Sequence, residues 1–307
     1  MDAIKEVVSV SLGSSARDHE VEIELLGEGF RLRREGTDGD LDRAVGRLAE
    51  LDGHVDALSL GGIDLYLRAA GRDYRFRASR KLAAAVTRTP LVCGAALKGP
   101  LEHATVGYMR TELGLDLAGK RVLVTSAVDR YGLAEGLIEA GCDLRYGDLL
   151  YALGIPVLIK GKRALDALIH VLAPVVVQLP FSWLYPTGSA QDKPPEPKRQ
   201  DLYERFDVIA GDYNYVRQYM PPDMGGKWVI TNTTTAADVD EMRTRGVELL
   251  VTSTPRLNGR SFGTNVIEAA LVALAGSATE LTPAEYVRLL GEVGFEPDVM
   301  WLQKAPV

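Results

Sequence analysis

The chain has 307 residues, 46% of them apolar and 25% charged, with a net charge of −7 and a pI near 5.3. That length suits two domains or one large α/β domain, and an acidic balance without a basic block argues against a nucleic-acid partner. Two distant cysteines, Cys93 and Cys142, exclude a disulfide framework and read as buried free thiols in a reducing compartment.

Strands are expected at Val7–Val10, Val21–Leu26 and Phe30–Arg33, the last two joined by a turn at Gly27–Gly29. Asp40 is placed to cap a helix through Leu51, with Leu41, Val45, Leu48 and Leu51 on one face. Val55–Leu60 reads as a buried strand, Ile63–Arg68 and Tyr74–Arg77 as a hairpin around Gly71, and Ser79–Val86 as a helix. Pro90–Gly94 reads as a strand, and Gly99-Pro100 as the opening of a helix with proline at its first position.

Beyond residue 118 the strand–helix period repeats. Strands are expected at Val122–Thr125, Asp143–Tyr146, Pro174–Leu179, Val208–Gly211, Trp228–Asn232 and Glu248–Ser253, with helices between most of them. This succession predicts an α/β protein: an N-terminal α/β domain, then a Rossmann-like domain with a mostly parallel sheet. The expected boundaries are 1–118, 119–281 and a C-terminal segment 282–307 that packs back on the N-terminal domain, including a helix near Pro283–Val293. Residues 186–200 form a polar, proline-rich loop. The most apolar segment, Ala164–Tyr185, is interrupted by Asp166, His170, Pro174, Gln178 and Pro180, too often for a membrane span. The start, Met1-Asp-Ala-Ile-Lys5, has neither the basic region nor the apolar core of a signal peptide. A cytoplasmic protein is therefore expected, and a homodimer stays open.

The run from Lys120 to Asp148 carries most of the functional signal. It reads as strand, turn, helix, strand and acidic residue, and Ala134, Leu137, Gly141, Leu144 and Asp148 fit a dinucleotide-binding fingerprint. Its three glycine positions are occupied by Thr125, Ala127 and Arg130. Glycines there allow the tight turn, the close pyrophosphate approach and helix–strand packing. The cofactor-binding candidates are Thr125, Ser126, Ala127, Arg130 and Asp148, with Arg130 extending outward. Asn232, Thr233 and Thr234 join them from the loop after another strand, where one threonine can cap the next helix. NAD is the expected cofactor, because a carboxylate at Asp148 bonds a ribose 2′-hydroxyl and repels a 2′-phosphate; NADP and no cofactor remain open.

Other strand-end loops supply substrate candidates. They are Ser11, Ser14, Ser15 and Arg17 in the first loop, and Arg260, Ser261 and Asn265 at the start of a late helix, where free amides favour anions. Lys98 follows a strand and precedes a helix, a place where an ammonium stabilises a developing alkoxide. Asp64 follows Gly61 and Gly62 at another strand end, placed to bond a substrate hydroxyl. Glu102 and His103 are neighbours on a helix and point apart, so no dyad is expected. The four histidines and two cysteines show no metal spacing. The expected partner is a small molecule.

The stretches SVSLGSSARDH, GTDGDL, LGGIDLYL, SAVDRYGLAEGLIEAGCDLRYGDL, LPFSWLYPTG, VIAGDYNYVRQYMP, WVITNTTT and GRSFGTNVIEA resemble a bacterial family labelled quinate 5-dehydrogenase. That resemblance links the chain to the shikimate and quinate dehydrogenases. It implies an N-terminal domain that binds a polyol and a Rossmann domain that binds NAD or NADP. It also implies that Lys98, in Cys93-Gly-Ala-Ala-Leu-Lys98, stands for the family's catalytic lysine. The family's Asn-Thr-Asp and Gly-Ala-Gly-Gly segments are absent; Pro100-Leu-Glu-His-Ala-Thr and Thr125-Ser-Ala-Val-Asp-Arg130 stand in their places. An NAD(P)-dependent oxidoreductase acting on a hydroxy acid, polyol or carbonyl is the leading expectation. A non-catalytic ligand-binding protein and a nucleotide-dependent transferase are the alternatives.

Overall fold

The structure is a computed structural model, and it describes residues 4–179, 199–254, 256–257, 260–261 and 263–303. The chain forms two compact units. One contains residues 1–100, 171–192 and 263–295; the other contains 101–170, 193–262 and 296–307. The division differs from the expected boundaries: the first crossing lies at Pro100/Leu101 rather than 118/119, and residues 263–281 belong with the N-terminal segment.

The first unit is built on a five-stranded sheet. Its strands are β1 (Lys5–Ser11), β2 (His19–Leu25), β3 (Glu28–Gly36), β4 (Ala57–Gly61) and, after the separate hairpin β5 (Tyr66–Ala69) and β6 (Arg72–Arg75), β7 (Leu91–Val92). The order is β2-β3-β1-β4-β7, with β3, β1, β4 and β7 parallel and β2 antiparallel at one edge. The β2–β3 turn is Leu26-Gly27, both at positive φ, the backbone that a two-residue hairpin requires. Helix α1 (Leu41–Leu51) is capped by Asp40, which accepts the Arg43 N–H at 2.9 Å, and it buries Ala44, Leu48 and Leu51. These side chains pack with Val8, Val10, Leu58 and Leu60 on one face of the sheet. A short helix α2 (Arg80–Ala84) follows the hairpin, and α3 (Ala95–Thr111) follows β7. The helix expected to open at Pro100 opens five residues earlier, so the proline lies inside it.

The second unit is built on a seven-stranded sheet. Strand β8 (Arg121–Val124) leads to α4 (Tyr131–Glu139), β9 (Asp143–Tyr146), α5 (Asp148–Leu153), β10 (Ile159–Lys160) and α6 (Lys162–Val176). After α7 (Asp201–Glu204) come β11 (Val208–Ala210), α8 (Tyr213–Gln218), β12 (Trp228–Thr231), α9 (Ala236–Thr244), β13 (Leu249–Thr252) and a small ribbon, β14 (Arg256–Leu257) and β15 (Arg260–Ser261). The order is β10-β9-β8-β11-β12-β13-β16, where β16 is Asp298–Trp301. The five central strands are parallel, and β10 and β16 are antiparallel edges. The expected strand Pro174–Leu179 is wrong: Pro174 lies in α6. Leu165, Ile169, Ala173 and Val177 are buried at a spacing of four, the period of a helix face. Pro174 is exposed, so the backbone bond it lacks faces away from the core. The chain returns to the first unit with α10 (Thr264–Leu274), which packs on β1, β3, β4 and β7, and α11 (Pro283–Glu292), capped by a Thr282–Glu285 box. The proline-rich 186–200 loop falls, except for Arg199 and Gln200, outside the described residues.

Candidate functional site

In the first unit, β1, β3, β4 and β7 run parallel, so their carboxyl ends share one edge of the sheet, where ligands of open α/β sheets collect. Lys98, in the first turn of α3, places Nζ 3.5 Å from Asp64 Oδ2. Both side chains are largely but not fully buried, at 16% and 20% exposure. The two residues picked from separate strand ends thus meet. Gly94, which joins β7 to α3, has φ +93°, and a Cβ there would sit 3.0 Å from Asn265 N.

The first loop is tied up internally. Ser11 Oγ accepts from the Gly13 N–H at 3.1 Å and from Arg34 at 3.0 Å. Ser14 caps a 3₁₀ turn through the Ala16 N–H, and the Ser15 N–H donates to Asp38 at 2.7 Å. Arg34 also reaches Ser14 O and Asp18, while Arg17 is exposed. The arginine that organises this loop is therefore Arg34; the available signal was its place in β3 at the parity of buried Phe30 and Leu32 rather than that of Arg31 and Arg33. Asn265 Nδ2 donates to Ser9 Oγ at 2.8 Å and Ser59 Oγ at 3.1 Å, so this side chain binds the sheet face. The backbone of Arg260 and Ser261 pairs with β14, and their side chains lie outside the described residues.

In the second unit, the chain leaves β8 toward β9 on one side and returns to β11 on the other. That reversal between β8 and β11 is the position at which open α/β sheets bind nucleotides. The turn from Thr125 to Arg130 follows β8 there, and Gly211-Asp212 follows β11. Asp148 accepts the Val128 N–H at 2.8 Å and the Ala127 N–H at 3.2 Å. Burial pushes its carboxyl up to about 7, against those two bonds and with the charge of Asp129 adding to the rise. The Ser126 Oγ accepts the Asp212 N–H at 3.1 Å, and Thr125 Oγ1 donates to Ala210 O. Asn232 Nδ2 donates to Asp212 at 3.0 Å, Thr233 pairs with the Thr254 hydroxyl, Thr234 is buried, and Thr235 caps α9.

Arg130 does not extend outward as expected. It is 6% exposed. Its guanidinium donates to Glu102 at 2.8 Å and to Asp212 at 2.9 Å, and Nε lies 3.2 Å from Asp129 Oδ2, an ion-pair distance without hydrogen-bond geometry. A buried guanidinium is tolerated only with such partners. Glu102 also accepts the Leu133 N–H at 3.2 Å, while His103 pairs with Glu139 at 2.9 Å, so the two neighbours do point apart. Glu102 and Asp212 were not among the expected site residues; the Gly-Asp after β11 was the available signal.

Cys93 is buried and Cys142 half-buried, both free. Among the described residues no group of three or more His, Cys, Asp or Glu could hold a metal, and no helix is long and apolar enough to cross a membrane.

The family described as "Domain of unknown function (DUF8754)" matches residues 96–302, and the one described as "Domain of unknown function (DUF8753)" matches residues 6–93. The first match spans more than half of the sequence. The chain belongs to the DUF8754 family. No curated protein matches the sequence. Similar solved structures include shikimate 5-dehydrogenase from Thermus thermophilus in complex with NADP(H) and shikimate, with 11% identity, TM-score 0.38, and coverage of 94% of this chain and 100% of that one. L-tryptophan dehydrogenase from Nostoc punctiforme has 8% identity, TM-score 0.41, and coverage of 94% and 78%. A periplasmic ribose ABC transporter protein from Conexibacter woesei DSM 14684 has 12% identity, TM-score 0.41, and coverage of 94% and 95%. The α/β class with parallel-rich sheets is common ground between the sequence reading and the structure.

Proposed function

We propose that this DUF8754 member is an NAD(P)-dependent oxidoreductase acting on a small polyol, hydroxy acid or carbonyl compound of the quinate and shikimate type. The observation that carries this reading is the Lys98–Asp64 pair at the carboxyl edge of the first sheet. An ammonium held beside a carboxylate is an acid–base couple: Lys98 Nζ can hold or release a proton at a substrate hydroxyl, and Asp64 stabilises the ammonium and orients it.

The nucleotide fit rests on the second unit. Two successive N–H groups, Ala127 and Val128, converge on one anion, the Asp148 carboxylate, so the turn has the form of an anion receptor. Asp148 would hold an adenine ribose through its 2′-hydroxyl, and the turn and Asn232 would face the rest of the nucleotide. A bound nicotinamide nucleotide would supply the hydride acceptor. Asp148 favours NAD over NADP, for the reason of charge.

A second reading has its own support. Asp148 occupies the receptor, and the charge of Arg130 is consumed by Glu102, Asp129 and Asp212. That arrangement favours a ligand without a pyrophosphate and a binding rather than redox role. Calorimetric titration of the purified protein with NAD and NADP, followed by turnover assays with quinate and shikimate as probes, separates the two. Binding of NAD ahead of NADP, with turnover lost in Lys98→Ala, supports the oxidoreductase. Absence of binding by either nucleotide up to millimolar concentration overturns it.

A further inference from the structure

A single carboxylate lies inside the apolar helix α10, at Glu268, and it is wholly buried. Glu268 Oε2 accepts the Gly94 N–H at 2.5 Å, and Oε1 accepts the Tyr286 hydroxyl of α11 at 2.8 Å. Gly94 is the residue that turns β7 into α3. Its carbonyl accepts the Lys98 N–H at 2.9 Å, a backbone bond of the helical turn that carries Lys98. An unbroken path therefore runs from Tyr286 through Glu268 and Gly94 to Lys98 and on to Asp64.

We infer that Glu268 is a positioning residue that fixes the β7–α3 turn and so aims the Lys98 amine at Asp64. The inference rests on the reading of Lys98 as the working amine. Taking a carboxyl out of water is costly, and here burial pushes it up to about 8. A leucine or methionine would fill the same space in α10 without that cost. What the carboxyl adds is a directional acceptor for a backbone N–H at a left-handed glycine. Gly94 has φ +93° and lies against the backbone of Asn265, so few other groups have room to accept that N–H. Tyr286, itself fully buried, fixes the second oxygen and with it the rotamer that faces Gly94. A lone Glu amid Val266-Ile267 and Ala269-Ala270-Leu271 was the sequence signal, and it went unread.

The test measures the Lys98 amine directly, without needing turnover. The intact protein is trace-labelled with acetic anhydride, and the acetylation of Lys98 is read by mass spectrometry against the exposed Lys81 of α2. Glu268→Met removes the acceptor and keeps an unbranched side chain. It is expected to raise Lys98 labelling about tenfold relative to Lys81, the size of one lost buried hydrogen bond. Glu268→Gln retains an oxygen for Gly94 and is expected to restore labelling to within about twofold of the native protein. A folded Glu268→Met protein with native Lys98 labelling overturns the inference. So does a parallel rise at Lys81, which marks general loosening. If Glu268→Met does not fold, Tyr286→Phe serves: a rise of about threefold is expected from the freed carboxyl, and native labelling overturns the path. Loss of the oxidoreductase reading would show as absent nucleotide binding, with these labelling ratios unaffected.

Discussion

Lys98 Nζ and Asp64 Oδ2 lie 3.5 Å apart although 34 residues separate them in sequence. Their meeting depends on β4 and β7 lying side by side and parallel, so that the segments after both strands leave from the same edge. In the proposed oxidoreductase, Lys98→Ala is expected to lower kcat by about 10²–10⁴-fold, the usual worth of a positioned acid–base group. The melting temperature should fall only modestly, because Asp64, at 20% exposure, keeps access to solvent when the ammonium is removed. Steady-state kinetics with calorimetry checks both; a twofold loss of kcat would remove Lys98 from the chemistry.

Arg130 makes the opposite prediction. Its side chain is 8% exposed, and its partner Glu102 is 3% exposed. Arg130→Met takes the guanidinium away from that buried carboxylate. The expected cost is about 3–5 kcal/mol of unfolding free energy, measured by urea denaturation. The double variant Arg130→Met/Glu102→Leu should regain part of that loss, since an apolar pair replaces an ionic one at low cost. Equal stabilities of the native and single-variant proteins would contradict the buried pair.

Asp148 should make stability depend on pH. Its carboxyl is raised from 3.8 to about 7 in the folded protein, so between those values the native state binds more protons than the unfolded state. Its contribution is fully present below 3.8 and is lost as pH rises toward 7. Glu268, raised from 4.5 to about 8, acts in the same direction. Denaturation midpoints measured from pH 5 to pH 8 are therefore expected to fall less steeply in Asp148→Asn than in the native protein. A steeper fall in the variant would show that the sign is wrong.

Gly211 tests the turn at the β8–β11 reversal. Its φ is +132°, and a Cβ there would overlap Thr125 Oγ1. Gly211→Ala must both strain the backbone and push Thr125 off its bond to Ala210 O. A loss of roughly 2 kcal/mol or more is expected, against a gain of about 0.5–1 kcal/mol for Gly46→Ala, inside helix α1 with nothing within 4 Å. Thermal melts of the two variants side by side decide it.

The α/β class and most strands and helices were legible in the local pattern of residues. Period, capping and turn residues are local properties, as Asp40 before α1 and the alternation around Tyr74 and Phe76 show. Local rules also misplaced two prolines. Pro174 and Pro100 lie inside helices because packing of the opposite face outweighs one missing backbone bond. What each polar side chain faces follows from the assembled fold. Arg130 reads as a free cation until Glu102, 28 residues earlier, and Asp212, 82 residues later, are brought to it. Ser11 and Ser14 read as ligand hydroxyls until Arg34 and the Ala16 N–H engage them. Glu268 reads as one acid in an apolar helix until Gly94, 174 residues away, donates to it. A buried polar group must find its partner wherever the fold supplies one, and sequence spacing carries no record of such a distant match.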